Sequence, residues 1–171
     1  MAVELALVSD THVPSRADAV PGWVEERIRA ADHVVHAGDF DSAAAYERVV
    51  ELAGGEESLT AVVGNIDPRS FDLPVVETLR VEGVTFVVTH GAGSRHGYES
   101  RVAETVREEG GPEAIGVSGH THEVLDAVVD GVRLLNPGTA TGAPPGAAAT
   151  MYVATVEGES VSVTLHRDES E

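Results

Sequence analysis

The chain has 171 residues, 42% of them hydrophobic, and no cysteine. That size suits one domain over residues 1–171, and the missing thiols exclude disulfides, thiolate metal sites and cysteine nucleophiles, leaving nitrogen and oxygen donors for any metal. Acidic residues number 29 against 11 basic ones, all of them arginine, so the formal net charge is −18 and a broad nucleic-acid surface is excluded. So acidic a surface repels itself at low ionic strength, which points to a salt-adapted, halophilic source. Apolar runs such as residues 3–8 fall far short of the roughly 20 needed to cross a bilayer. Glu4 interrupts the amino-terminal run early, so the reading is a cytoplasmic protein without a membrane role.

In chain order, the first half alternates short β-branched runs with helical patterns. Strands are predicted over 3–8, 33–37 and 59–63, and helices over 20–31 and 42–53, where Trp23 and Ile28, then Tyr46, Val49 and Val50, recur at helical spacing. Pro21 suits a helix's first turn. This alternation implies right-handed crossovers and a parallel sheet. Residues 75–81 and 84–89 flank Glu82-Gly83 as a hairpin, and a helix over 98–109 ends at Gly110-Gly111-Pro112. Shorter strands follow over 114–118, 123–129, 132–135, 150–156 and 160–166, with a Gly/Pro/Ala-rich loop of low complexity at 139–149. Two sheets packed face to face, with helices outside, account for the pattern.

Ligands of α/β sheets gather beyond the carboxyl ends of strands. Here those ends carry Asp10-Thr11-His12, Gly38-Asp39, Gly64-Asn65-Ile66-Asp67, His90-Gly91 and Gly119-His120-Thr121-His122. Residues two apart on an extended stretch face the same side, so Asp10 and His12 can converge on one ion. One such tip alone is ordinary turn chemistry; five in one small domain point to a metal centre.

Together these tips resemble the five motifs of calcineurin-like metallophosphoesterases. The short length, Asn136-Pro137-Gly138-Thr139 and the lack of a cap insertion resemble the small YfcE-type phosphodiesterases. The resemblance implies an α/β fold, a four-layer αββα sandwich of two mixed β-sheets. It also implies one ion held by Asp10, His12, Asp39 and His122 and a second held by Asp39, Asn65, His90 and His120, with Asp39 bridging. Manganese is the first expectation, with nickel, zinc, iron and magnesium as alternatives. Two carboxylates and one hydroxide leave two divalent ions with a positive remainder, which neutral Asn65 preserves and a third carboxylate would cancel. The implied reaction is in-line attack on a small phosphate diester by a metal-bridging hydroxide.

The sequence departs from the family pattern at Ile66, where many relatives carry a histidine as general acid, and at Ala92, where many carry a second histidine. An aliphatic side chain donates no proton, so esters with activated leaving groups are expected to turn over best. Around the ligands, His96 and Asp67 are candidates for proton transfer or for orienting water, Arg95 for a phosphate clamp, and His36 and Asn136 for support behind the ligands. Simpler readings compete: a loop surface for His96, an ordinary turn for Asp67, a surface salt bridge for Arg95. Thr121 reads as a spacer, and His33 and His166 as surface residues. Arg95 and Arg69 are the cations expected nearby, too few for a comfortable monoester site. Rival readings are a phosphomonoesterase or nucleotide-pyrophosphate hydrolase on the same centre, or a non-catalytic scaffold like the retromer subunit that shares this fold. Relatives assemble as dimers or larger, so a homo-oligomer is a matching expectation without an interface signature.

Overall fold

Alternation along the first strand sets the layering. In β1 (Val3–Val8), Leu5 and Leu7 pack into one apolar cluster and Ala6 and Val8 into another, and all four are fully buried. A strand apolar on both faces needs a layer on each side of its sheet. The computed structural model describes residues 2–68, 70–146 and 148–167, so Arg69 lies outside the described residues. After β1 come α1 (Gly22–Ala30), β2 (His33–His36), α2 (Ala43–Ala53), β3 (Leu59–Ala61), β4 (Val76–Val81) and β5 (Val84–Thr89). Then follow α3 (Tyr98–Gly110), β6 (Ile115–Val117), β7 (Val124–Val129), β8 (Val132–Pro137), β9 (Thr150–Glu157) and β10 (Ser160–Arg167).

Two five-stranded sheets result, ordered β10-β9-β1-β2-β3 and β4-β5-β6-β8-β7. The strands β1, β2 and β3 pair in parallel, as expected from the alternating first half, and β9 joins β1 antiparallel. In the second sheet β5, β6 and β8 are parallel, with β4 and β7 antiparallel at the edges. Both sheets are therefore mixed.

Three apolar clusters fill the spaces between layers. Leu5, Leu7 and Val35 of the first sheet meet Phe86, Val88, Val117 and Leu135 of the second. Val24 and Ile28 of α1, with Val49 and Leu52 of α2, cover the outer face of the first sheet. Val102, Ala103 and Val106 of α3 cover Val87 and Leu134 on the outer face of the second. The helix–sheet–sheet–helix order is the sandwich that the motifs imply.

Boundaries differ by a residue or two, for local reasons. Pro21 caps α1 rather than opening it, its carbonyl accepting from Val24 and Glu25. β3 stops at Ala61 because Val63 turns its N–H to Pro74. Ser42 caps α2 through its Oγ, which accepts from Ala45 N at 3.1 Å.

The parallel registers place Val8 beside His36 and His36 beside Ala61, so three strand ends of the first sheet lie along one edge. Val88 and Val117 align likewise in the second. The loops after these strands interlock: Asp10 N–H donates to Gly38 O, and Gly119 N–H to His90 O. Across the sheets His120 N–H donates to Asp10 Oδ2 at 2.9 Å, so tips from both share one small volume.

Candidate metal centre

Seven polar side chains from five strand tips converge there. Asp10, His12 and His122 form one group and Asp39, His90 and His120 another, with candidate donor atoms within 4.8 Å of one another in each. Asn65 joins the second, its Oδ1 lying 3.1 Å from His120 Nδ1. The two groups touch. Asp39 Oδ2 lies 3.0 Å from His90 Nε2 and 3.5 Å from His12 Nε2, while Asp10 Oδ1 lies 3.4 Å from His122 Nε2 and 3.8 Å from His90 Nε2.

The backbone is bent to achieve this. Among the described residues eight non-glycine residues occupy the left-handed region, and five of them are Asp10, His12, Asp39, His120 and His122. A sixth, Asp41, bonds His12, and the other two, Glu82 and Asp130, sit in hairpin turns. Each such residue costs about 1–3 kcal/mol, a burden that surrounding structure must carry and that concentrates at functional sites. Close approach adds to the demand: a Cβ on Gly64 would collide with the Asp39 carboxylate, and one on Gly119 with that of Asp10. Both glycines of these motifs are therefore steric necessities.

Each carboxylate is clamped by one oxygen and turns the other towards the imidazoles. Asp10 Oδ2 accepts from Ser9 Oγ at 2.8 Å and from His120 N at 2.9 Å, whereas Oδ1 is buried without a hydrogen-bond partner. Asp39 Oδ1 accepts from Ile66 N at 2.8 Å, leaving Oδ2 for the imidazoles. An orphaned buried carboxylate oxygen is costly unless a cation completes it.

The imidazoles say the same. His90 Nδ1 lies 2.7 Å from Ala37 O, His122 Nδ1 2.8 Å from Ala143 O and His120 Nε2 2.8 Å from Gly93 O. A carbonyl only accepts, so those nitrogens carry N–H. His12 Nδ1 is fixed likewise by the Asp41 carboxylate at 2.8 Å. In the neutral imidazoles the remaining nitrogens present lone pairs inward, and acceptor would face acceptor: His12 Nε2 to His122 Nε2 at 3.2 Å, His120 Nδ1 to His90 Nε2 at 3.3 Å. Lone pairs at that separation repel unless positive charge lies between them. The donor set fits divalent ions, with the outer N–H bonds that metal-bound imidazoles characteristically make.

Electrostatics agree. Burial pulls the His90 imidazole down, yet the Asp39 bond and the Asp10 and Asp39 charges outweigh it and push it up to about 9. His12 rises too, its burial overcome by Asp10 and Asp41. Burial would raise Asp10, but the neighbouring His12, His122 and His90 imidazoles hold it well below the carboxylate range. The cluster draws in positive charge, whether protons or metal.

Other expected residues fall beside the cluster. Asp67 is buried and accepts from Asp39 N, Gly64 N and Asp41 N at 2.8–2.9 Å, orienting loop atoms. His36 is fully buried, stacks on Phe40 and accepts from Gly38 N; burial takes its pKa down to about 3. Asn136 Nδ2 donates to Gly119 O and Thr121 Oγ1 at 3.1 Å and so braces the His120–His122 loop. Thr121 is thus more than a spacer. Arg95 pairs with Glu123 on the surface, and the His96 ring is exposed, with no part in the cluster's contacts. His33 and His166 are half-buried rather than on the surface, His33 bonding Thr60.

Several supports escaped the sequence reading. Asp41 repeats the two-apart spacing after Asp39 and could have been found by it. The carbonyls of Ala37, Gly93 and Ala143 leave no side-chain signal. Residues 139–143 of the low-complexity loop are packed and specific: Thr139 Oγ1 donates to Asp10 O, Thr141 Oγ1 to Thr11 O, and Ala143 O holds His122.

The sequence model of the calcineurin-like phosphoesterase superfamily domain matches residues 3–159. The chain belongs to that superfamily. Among relatives of this calcineurin-like chain, a probable metallophosphoesterase of Methanothermobacter thermautotrophicus is 27% identical over 164 residues, 95% of this chain and 91% of the relative. Vps29 of Chaetomium thermophilum matches with a TM-score of 0.83 at 18% identity, covering 98% of this chain and 91% of that one. Entamoeba histolytica Vps29 complexed with zinc matches at 0.68 and 21% identity, covering 96% and 98%. At such identities the two Vps29 structures show a common fold. Superfamily membership and the metallophosphoesterase kinship support a phosphoesterase hydrolase; the superfamily uses divalent metals, and the two clusters are its candidate metal-binding groups here. Among the described residues no helix is long and apolar enough to cross a membrane.

Proposed function

We propose that this calcineurin-like chain is a dinuclear metal-dependent phosphodiesterase acting in the cytoplasm on a small phosphate ester. One observation carries the reading: inward imidazole nitrogens and carboxylate oxygens, one of them buried without a hydrogen-bond partner, lie 3.0–3.8 Å apart across two touching groups. Asp10, His12, Asp39 and His122 would hold one ion, and Asp39, Asn65, His90 and His120 the other, with manganese first among candidates. Such ions supply Lewis acidity, charge neutralisation and activated water. The chain's own residues fix the donors: Asp41, Ala37, Gly93 and Ala143 set the imidazole tautomers, and Ser9, His120 and Ile66 orient the carboxylates. In an acidic protein two divalent ions here would create a local positive charge able to receive an anion.

Ile66 offers no proton to a leaving group, and its side chain is 42% exposed beside Asp39. Diesters with activated leaving groups are therefore favoured. A monoester carries further negative charge, and Arg95 is already paired with Glu123. A purely scaffolding role draws on the fold shared with Vps29 and leaves this donor set without a purpose. The test is metal analysis in high salt followed by a screen of phosphate mono- and diesters with and without manganese. Native protein is expected to take up about two ions per chain and hydrolyse diesters, and Asp39→Ala to lose hydrolysis together with metal. Full activity in Asp39→Ala at unchanged metal content overturns the reading.

A further inference from the structure

Beside Asn65 and His90, on the solvent side of the second group, the surface opens into a groove of about 320 Å³. Val63, Val75, Ala92 and Val102 give it apolar walls, and Arg101 of α3 forms another. Among the described residues no carboxylate lines it. That is unexpected in a chain with 29 acidic residues. Four large apolar side chains are exposed among the described residues; Val75 lies in this groove, Ile66 in the loop that also carries Asn65, and Val128 and Leu165 on other strands. An exposed apolar surface continuous with a polar centre is the usual make-up of a ligand pocket.

Arg101 is placed for a particular shape of ligand. Its Nη2 donates to Gly91 O at 3.1 Å and Ser94 O at 3.0 Å, and its guanidinium carbon lies 5.8 Å from the Tyr98 ring centre. Pinned by two carbonyls, the guanidinium plane is a fixed wall, and guanidinium planes stack on flat rings. Benzene fits an apolar cavity of ~150 Å³, so a ring and its linking atoms fit here. Asn65 and His90 belong to both the groove and the cluster, so a substituent of a phosphate held at the cluster is within reach of the groove.

We infer that the groove seats a planar, apolar ring attached to the phosphate, making the substrate a diester with at least one aryl or nucleobase-like substituent. This rests on the proposed phosphoesterase centre. Ala92 and Val75 leave room for the ring, and Arg101 and Val102 flank it.

The test uses the manganese-loaded full chain and two phosphonates that differ only in the substituent. Calorimetry is expected to find phenylphosphonate bound about tenfold more tightly than methylphosphonate, the ratio that burial of one ring face gives. Val75→Glu is expected to bring the ratio close to one, while Val128→Glu, on the distant β7 surface, preserves it. In hydrolysis, Val75→Glu is expected to raise KM for bis(p-nitrophenyl) phosphate by a similar factor with little change in kcat. Equal affinities in the native protein, or a preference that survives Val75→Glu, overturn the inference. If esters are hydrolysed but the phosphonates bind equally, the groove fails and the metal centre stands. If no ester is hydrolysed and neither phosphonate binds, both fail.

Discussion

The two halves of the candidate centre are built differently. Asp10, His12 and His122 are at most 7% exposed, and a buried carboxylate and a packed loop back their imidazoles through Asp41 and Ala143. Around Asp39 and His90, by contrast, His120 is half-buried and Asn65 exposed, and Gly93 in a surface loop supplies one of the backing carbonyls. An enclosed, charged inner set and an open outer set imply unequal tenancy for the proposed ions. An ion in the inner set would be held more tightly and exchange more slowly than one in the outer set, which borders the groove.

The sharpest way to break that contrast is to remove the inner backing. Asp41→Asn keeps the size of the side chain but loses the charge behind His12. Loss of such an outer partner lowers metal affinity by about 10–100-fold. A titration that resolves two binding steps should show the tight step weakening and the loose step unchanged. An unaltered tight step would mean that Asp41 merely braces the Ser15 turn, which it also bonds.

Protons give the next largest effect. His90 is raised to about 9, so at pH 7 it is charged and must release a proton to bind an ion. Outer-site affinity should rise about tenfold per pH unit between pH 7 and 9 and then level off. The metal-free protein should respond in the opposite direction. A group with a raised folded pKa stabilises fully below its unfolded value near 6.5 and loses that contribution as pH rises through about 9. Melting curves with and without metal should therefore diverge with pH. Parallel curves would remove His90 from the outer set.

The smallest effect concerns the rim. Arg95→Ala should change hydrolysis less than about twofold, because an exposed pair is worth ~1 kcal/mol at most and this one is engaged with Glu123. A large rise in KM would return Arg95 to the role of a phosphate clamp.

The layered fold could be read from the chain because its signals are local. Alternation of Leu5 and Leu7 against Ala6 and Val8, helical spacing in α2 and the turns at Glu82 and Asp130 depend on neighbours in sequence. The seven candidate ligands were legible for another reason: polar residues at strand ends stand out against apolar runs. What was hidden is made by backbone atoms and by distant partners. No pattern announces that Ala143 O meets His122, or that Arg101 and Val75 share a groove. The loop at 139–149 reads as filler because small residues pack by shape, and shape leaves no trace in composition.

Asp67 carries a consequence of its own. Burial raises its carboxyl even though three backbone N–H groups favour the anion, and those N–H groups come from the loops after β2 and β3. One side chain thus rivets two successive crossovers at their open ends and fixes the contour of the floor beneath Asp39. Precision at the reacting edge is underwritten by a residue that faces away from it.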